Sequence, residues 1–232
     1  MDGTVECDAS IMDATTLGYG AVGAIKGIKN PIKVAHCLLT EENKGLLSLG
    51  RVPPCFLTGD GAYTWAKEHG IEEIHPDKMI TENALSSFKK YRQKLLTCTK
   101  RDCASTGNVH KKRKTDMVCI DNELLDTVGA ISIDCHGNIS SAVSSGGISL
   151  KQPGRVGQAA VYGCGCWAMK LSTTSVASST TGCGEHLLKT MLARKCVESA
   201  LGSECLDQAI RKVFQCDFLG KSCLIISYYI DL

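Results

Sequence analysis

The pattern of apolar residues changes at Asp126, and this change most restricts the fold that the chain can adopt. Before it the spacing is mainly helical, and directly after it residues alternate as in two strands joined by a tight turn at Asp134–Asn138. Helical spacing occurs in five segments: Asn30–Leu39, Asp60–His69, a segment from Thr81, Gly182–Ala200 and Glu204–Phe214. Strand patterns occur in six: Tyr19–Ile25, Val128–Ile133, Ile139–Val143, Ala159–Tyr162, Ser175–Ser178 and Leu224–Ile230. Helices before and after strands around one core predict a layered α+β fold.

Length and composition indicate one globular domain over residues 1–232. The chain is 44% hydrophobic and 22% charged, the balance expected of a folded soluble domain. Its longest apolar run near either end, Cys223–Ile230, is shorter than the roughly 20 residues that span a bilayer. Met1–Asp8 lacks the apolar region of a secretory signal. We therefore predict no membrane partner and no export.

Positive charge is concentrated between Lys89 and Lys114. Ten bases and one acid give this segment a charge of +9, while the rest of the chain carries −7. We interpret residues 89–122 as a flexible basic loop. Its cluster Lys111–Lys114 is compatible with nuclear import, which predicts an import receptor as partner and a location in both cytoplasm and nucleus. Nucleic acid is a less favoured partner, because Tyr91 is the only aromatic residue among these bases.

Cysteine, histidine and glycine spacings argue against a metal or nucleotide site. The fourteen cysteines form no C-x-x-C pair, and Cys164 and Cys166 are too close for a zinc-finger pair. The six histidines show no H-E-x-x-H spacing. We predict reduced, mostly buried thiols and no metal. Gly18–Gly23 fits G-x-G-x-x-G, but Pro31 follows too soon for the long helix that a dinucleotide site requires.

Small hydroxyl residues, glycines and one arginine recur in the turns after Asp126. They lie in four places: Thr127 at the start of a strand, Ser144–Gly147, Gly154–Gln158, and Thr181–Glu185 at the start of a helix. In this order they resemble the type 2 asparaginase family of N-terminal-nucleophile hydrolases. Further matches are Val5–Asp13, Asn30–Ala35 and His186, and Lys151–Ala160 and Tyr162–Trp167 are similar to its endopeptidase branch, the threonine aspartases (taspases).

The resemblance implies a four-layer αββα sandwich made as an inactive precursor. The precursor would cut its own Asp126–Thr127 bond, giving an α part (1–126) and a β part (127–232) that stay associated, with dimers of such pairs. Thr127 would then be an N-terminal nucleophile. Its freed α-amine, with an ordinary pKa of about 7.7–8.0, is partly neutral near physiological pH and can take the hydroxyl proton. No cofactor is implied, although the family often holds a structural sodium ion.

The resemblance also assigns roles to the other matching residues. Ser145 matches the hydroxyl that steadies the nucleophile, and Thr181 with the amide of Gly182 matches the oxyanion hole. Arg155 matches the residue that grips the substrate carboxylate. Gln158 departs from the asparaginases, which have an aspartate here to bind the free α-ammonium of asparagine. A neutral residue suits an aspartate inside a polypeptide, so we predict a threonine endopeptidase that cleaves protein substrates after aspartate.

Two other functions stay open at this point. The likeness to the family begins almost at Met1 and fades after Phe214, so the chain is expected to be truncated at both ends and to lack strands of the sandwich. A truncated chain predicts a catalytically inactive relative that binds and modulates full-length subunits. The second alternative is an asparaginase or isoaspartyl peptidase.

Overall fold

The computed structural model describes residues 2–104, 126–172 and 174–219. Seven strands lie within them: β1 (Cys7–Asp13), β2 (Tyr19–Ile25), β3 (Phe56–Thr58), β4 (Val128–Ile133), β5 (Ile139–Ser145), β6 (Cys166–Leu171) and β7 (Thr174–Ser179). The α-helices are α1 (Pro31–Asn43), α2 (Gly59–Glu68), α3 (Glu82–Ala104), α4 (Gly184–Thr190), α5 (Leu192–Leu201) and α6 (Leu206–Lys212), and a π-helical stretch, Val213–Leu219, continues α6. The predicted mixed α+β class is confirmed.

Five strands form one sheet in the order β3-β2-β1-β5-β4. β1 runs antiparallel to β2 and to β5, β4 runs antiparallel to β5, and β3 lies parallel to β2. β2 is buried along its whole length, whereas all six residues of the edge strand β4 are exposed. The hairpin β4–β5 therefore carries the start of β4, with Thr127 just before it, to an open edge of the sheet.

Helices lie outside two packed sheets. On one face of the large sheet, Val22 clusters with Val34 and Leu38 of α1 and with Ala62 and Ala66 of α2. The opposite face packs against the two-stranded sheet β6–β7. A second cluster there joins residues from both sheets and from α5: Met12, Ile139, Val143, Cys166, Trp167, Ala168, Ala193 and Val197. The main core is thus the space between the two sheets and the space between each sheet and its helices.

Backbone preferences explain where the helices begin and end. Pro31 occupies the first turn of α1, where a missing N–H leaves no bond unmade. Asn30 is the N-cap residue of α1, as its sequence position before Pro31 indicates, although its side chain makes no capping hydrogen bond. The single helix predicted over Gly182–Ala200 is two helices, because Met191 adopts the left-handed conformation (φ 49°) between α4 and α5.

Three other segment predictions are wrong in part or fall on residues that the structure does not describe. The loop predicted from residue 89 is wrong over 89–104, where α3 continues; this stretch has no glycine or proline and is rich in helix formers. Residues 105–122 of that loop, and the strand predicted at Leu224–Ile230, lie outside the described residues. Gln158–Ala160 is a 3₁₀ turn closed by a bond from Val161 N to Gln158 O, so no strand begins at Ala159.

Several sequence-based exclusions can be compared with the structure. No helix in the described parts of the chain has the length and apolar character needed to traverse a bilayer. Residues 2–104, 126–172 and 174–219 contain no group of three or more His, Cys, Asp or Glu placed to hold a metal ion. Ten of their cysteines are free thiols, and of these ten Cys164, Cys166 and Cys196 are buried, so the prediction of mostly buried thiols is wrong for these ten. Burial raises the pKa of these three thiols to about 11.

Candidate active site

The β4–β5 hairpin brings the predicted nucleophile and its partner hydroxyl together. Val128 of β4 pairs with Ser144 of β5 in the antiparallel register, so the residues one step outward, Thr127 and Ser145, meet at the open end of the hairpin. Thr127 Oγ1 donates a hydrogen bond to Ser145 Oγ at 3.1 Å. Ser145 is buried while Thr127 is partly exposed, so the nucleophile faces solvent and its partner is fixed in the sheet.

Ser145 extends this contact to the carboxylate of Asp126. Ser145 Oγ donates to Asp126 Oδ1 at 3.2 Å, and the backbone N–H of Gly146 donates to Asp126 Oδ2 at 2.6 Å. The N–H of Gly147 donates to Ser145 Oγ at 3.0 Å, which fixes the orientation of that hydroxyl. The result is a directed series, from Thr127 O–H through Ser145 O–H to a carboxylate, of the kind that can move a proton off a nucleophile.

The segment 151–158, which carries Arg155 and Gln158, is tied to β1 and the residue before it by two buried carboxylates. Glu6 Oε2 accepts from Gly154 N at 2.8 Å, and its Oε1 forms an ion pair with Lys26 at 3.2 Å. Asp8 Oδ2 accepts from Gly157 N at 2.7 Å, while its Oδ1 accepts from Ala24 N at 2.8 Å. Because these bonds lie on both sides of Arg155 in the chain, they fix where its guanidinium emerges.

Lys151 joins this segment to the turn after the hairpin. Its Nζ donates to the carbonyl oxygens of Glu6 at 2.6 Å and Gly146 at 3.0 Å. Gly146 in turn holds the Asp126 carboxylate through its N–H. Arg155 also reaches this turn, since a methyl group placed on Gly147 would lie 3.1 Å from Arg155 Nη1. The predicted cation and the predicted nucleophile therefore face the same turn, 145–147.

Arg155 forms an ion pair with Glu185 in the first turn of α4. Nε donates to Glu185 Oε1 at 2.9 Å, and Nη2 lies 2.8 Å from the same oxygen. Nη2 is buried and makes no hydrogen bond of good geometry, so this short contact is an ion pair without a second directed bond. Burial raises the pKa of Glu185, but the hydrogen bond and charge of Arg155 outweigh it and leave that pKa below its ordinary value.

Gln158 lies beside this pair and is almost fully buried, at 4% exposure. A methyl group on Gly184 would lie 2.6 Å from Arg155 Nη2 and 2.8 Å from Gln158 Oε1, so both side chains converge on the backbone of Gly184. Only glycine fits there without displacing one of them. Arg155, Gln158 and Glu185 thus form one cluster, in which the amide of Gln158 contributes a dipole and no charge.

Thr181 and Gly182 lie on the turn between β7 and α4. Thr180 anchors the turn, since its N–H donates to Gly165 O and its hydroxyl to Cys164 O, each at 2.8 Å. Gly129, two residues after Thr127, contacts the side chain of Ser179, two residues before Thr181, so these strand ends lie side by side. Within the described residues no hydrogen bond joins Thr181 or Gly182 to Thr127.

Sequence reasoning missed five residues that build this site: Glu6, Asp8, Asp126 as a carboxylate, Lys151 and Glu185. The sequence held one usable signal. Glu6 and Asp8 are two acids at alternate positions around the start of a strand whose other residues are mostly small or apolar. Alternate positions face the same side of a strand, so this pattern indicates two buried acids on one face. The pairing of Glu185 with Arg155 joins residues 30 positions apart and has no local sequence signal.

Comparison with known proteins identifies the family and corrects the predicted reaction. A family model described as asparaginase, of type 2, matches residues 1–222. The isoaspartyl peptidase/L-asparaginase of Homo sapiens is 40% identical over 195 residues, 83% of this chain and 52% of its own length. That of Rattus norvegicus is 36% identical over 208 residues (90% and 53%), and the isoaspartyl peptidase of Escherichia coli is 32% identical over 192 residues (83% and 52%).

These names contradict the predicted threonine endopeptidase and favour the second alternative, asparaginase or isoaspartyl peptidase. The neutral Gln158 misled the prediction, because one missing charge was taken to mean that no charge binds an α-ammonium. The chain spans about half the length of the curated relatives it matches. The chain belongs to the type 2 asparaginase family of N-terminal-nucleophile hydrolases.

Proposed function

We propose that this protein cuts its own Asp126–Thr127 bond and then hydrolyses β-aspartyl amide bonds, as in L-asparagine and isoaspartyl peptides. The observation that carries the proposal is the series Thr127 Oγ1, Ser145 Oγ and Asp126 Oδ1, with separations of 3.1 and 3.2 Å. It supports both stages, because the same hydroxyl is the nucleophile in each. The relatives named isoaspartyl peptidase/L-asparaginase support the substrate class.

Self-cleavage would begin with attack of Thr127 Oγ1 on the carbonyl carbon of Asp126. As the C–O bond forms and the C–N bond breaks, the hydroxyl proton passes through Ser145 to the Asp126 carboxylate and then to the leaving nitrogen of Thr127. Water hydrolyses the resulting ester, which gives a new carboxyl terminus at Asp126 and restores the hydroxyl of Thr127. The bond from Gly146 N holds the Asp126 carboxylate in place for this transfer.

In the cut protein the freed amine of Thr127 replaces Asp126 as the base. Thr127 Oγ1 attacks the side-chain amide carbon of the substrate and its proton passes to the α-amine, which delivers it to the departing ammonia or amine. Water then cleaves the ester, releases aspartate and returns a proton to Oγ1. Ser145 steadies the nucleophile in both stages, and Thr181 with the amide of Gly182 stabilises the oxyanion.

Arg155 would bind the substrate α-carboxylate. Its side chain is 14% exposed and its Nη1 lies near Gly147 in the 145–147 turn, so that nitrogen can receive a carboxylate oxygen. The packing of helices outside two sheets supports the finer prediction of an αββα sandwich. The predicted dimer of αβ pairs, the import receptor and the nuclear location stay predictions from the sequence.

Expression of the full chain with mass spectrometry and an ammonia assay tests both stages. We expect fragments that end at Asp126 and begin at Thr127, then ammonia from L-asparagine and dipeptide cleavage from a β-aspartyl dipeptide. Thr127→Ala should stay whole and inactive. Thr40→Ala, on the exposed face of α1 and bonded only to its own helix through His36 O, is the matched control and should behave as wild type. A folded wild-type chain that stays whole, or a cut chain inactive on both substrates, would contradict the proposal.

A further inference from the structure

We infer that Glu185 is the anionic partner of the substrate α-ammonium group, so that Arg155 and Glu185 together bind an amino-acid zwitterion. The inference rests on the proposed function only in requiring a substrate with adjacent ammonium and carboxylate groups. It answers the question that the neutral Gln158 raises, namely which group balances the positive charge of such a substrate. Gln158 carries no charge, and the carboxylate in direct contact with Arg155 is Glu185.

The geometry of the pair leaves one atom on each side for a ligand. Nε and Nη2 of Arg155 both approach Glu185 Oε1, whereas Arg–carboxylate pairs commonly use two oxygens. Glu185 Oε2 accepts only from the Cys183 thiol at 3.5 Å among the described side chains, and a thiol is a weak donor. Nη2 of Arg155 is buried, so a ligand meets the guanidinium at Nη1, which lies near Gly147. A carboxylate can therefore bind Nη1 while an ammonium binds Oε2.

Asp8, the other carboxylate close to Arg155, is already occupied. Both of its oxygens accept backbone N–H groups, from Ala24 at 2.8 Å and from Gly157 at 2.7 Å, and the residue is fully buried. Glu185 differs because 47% of its side chain is exposed, which gives a ligand access to Oε2. The two carboxylates thus have separate tasks: Asp8 holds the segment that carries Arg155, and Glu185 faces the ligand.

The charges explain why such a pair would prefer a zwitterion to a simple acid. A zwitterion adds one charge of each sign to a pair that already contains one of each, so no net charge enters the half-buried site. A ligand with the carboxylate alone meets Arg155 but is repelled by Glu185, or must displace it. Selection of this kind uses repulsion of the wrong ligand as much as attraction of the right one.

Binding of L-aspartate and of succinate, which is L-aspartate without its amine, tests the inference by calorimetry. We expect wild type to prefer L-aspartate. Glu185→Gln should bind L-aspartate about 10-fold or more weakly, the usual effect of losing a hydrogen bond to a charged group, and should bind succinate as well as wild type or better. Glu198→Gln removes a carboxylate of similar exposure that pairs with Arg194 at 2.6 Å, and as the matched control should change neither ligand.

The outcomes separate this inference from the proposed function, because binding needs no turnover. Glu185→Gln that weakens both ligands equally assigns Glu185 a structural role, and Glu185→Gln that tightens both shows mere competition for Arg155; either result overturns the inference. A wild type without preference for L-aspartate also overturns it. If the wild type fails these binding tests but releases ammonia, the proposed function stands and the role of Glu185 falls. If it shows the expected binding pattern but no turnover, the proposed function falls and the role of Glu185 stands.

Discussion

The two segments beside the proposed nucleophile are held in different ways. Segment 151–158, which carries Arg155, the proposed substrate-binding cation, is tied by side-chain carboxylates of Glu6 and Asp8 and by the amine of Lys151. The turn 181–183, which carries the candidate oxyanion donors, is exposed. It is anchored mainly by backbone bonds, from Thr180 to residues 164 and 165 on one side and from the N–H groups of residues 186 and 187 to Cys183 O on the other. Buried charged groups position the charged ligand-binding residue, and backbone conformation positions the oxyanion donors.

Because the two segments are held differently, different kinds of substitution should harm them. A guanidinium must be placed with its charge balanced, so the residues behind it are acids whose oxygens are used by backbone N–H groups and, at Glu6, also by the amine of Lys26. An oxyanion donor is a backbone amide, and its direction depends on φ and ψ at a single residue. Removal of an acid should therefore affect stability and ligand affinity, whereas a change of backbone freedom in the turn should affect the rate.

Asp8→Ala should have the largest effect on the carboxylate-held segment. It leaves two buried N–H donors, those of Ala24 and Gly157, without partners. Each such donor costs about 1–3 kcal/mol, so we expect a loss of roughly 2–6 kcal/mol in the free energy of unfolding and a raised KM from a displaced Arg155. Urea denaturation and steady-state kinetics measure the two effects.

Ser10→Ala is the matched control for Asp8→Ala. Ser10 is as fully buried on the same strand, but its hydroxyl contacts side chains, the sulfur of Cys166 at 3.3 Å and the side chain of Tyr19, and holds no backbone N–H group. We expect a smaller loss of stability and an unchanged KM. Equal losses of stability in the two variants would show that Asp8 acts by burial alone. The hydrogen bonds of its carboxylate would then not be what holds the segment that carries Arg155.

Gly182→Ala should have the next largest effect, on the turn 181–183 that carries the candidate oxyanion donors. Gly182 has φ 142°, a conformation that L-residues rarely adopt, while a methyl group there would meet nothing closer than Leu187 Cδ1 at 3.8 Å. The strain is therefore in the backbone and should turn the amide. Loss of one oxyanion donor lowers kcat by about 10²–10³, with little change in KM.

Gly70→Ala separates strain from catalysis in this comparison. Gly70 also has positive φ (71°) with open space around it, but it follows α2, outside the candidate site. It should lower the midpoint of thermal unfolding as Gly182→Ala does, and leave kcat unchanged. An unchanged kcat in Gly182→Ala as well would remove Gly182 from the catalytic machinery.

Local sequence predicted the elements whose signal lies within a few residues. The β4–β5 hairpin follows from alternation and a tight turn, and α1 follows from Pro31 and helical spacing. The contact between Thr127 and Ser145 was implied by the resemblance to the family and not by local spacing. The break at Met191 could not be predicted, because methionine is an ordinary helix residue and has no local signal for the left-handed conformation that it adopts here. The ion pair between Arg155 and Glu185, and the clamp by Glu6 and Asp8, depend on contacts 30 to 149 positions apart that no spacing rule encodes.

Lys151→Met should have a smaller effect, largest on self-cleavage. Its amine bridges the carbonyls of Glu6 and Gly146, and Gly146 holds the Asp126 carboxylate. A looser turn should slow self-cleavage by about 10-fold, since the loss of a hydrogen bond to a charged group is worth about 1.5–3 kcal/mol. A time course on denaturing gels measures the rate. Lys170→Met, which loses a bond to Asn138 at the other end of the hairpin, should cut at the wild-type rate; equal slowing would refute the role of the 146 turn.

The smallest expected effect is an opposite pH dependence of stability from the two acids beside Arg155. Burial raises the pKa of Asp8 above its ordinary 3.8, outweighing its two backbone hydrogen bonds, so its contribution to stability is present at low pH and is lost as pH rises through the folded-state pKa. The pKa of Glu185 lies below its ordinary 4.5 because Arg155 outweighs burial, so its contribution is present above that value and is lost as pH falls. Relative to wild type, Asp8→Asn should therefore become less harmful as pH rises from about 3 to 7, and Glu185→Gln more harmful. Urea unfolding at several pH values measures both differences in the free energy of unfolding. If the two differences change with pH in the same direction, the opposite pKa shifts of Asp8 and Glu185 are contradicted.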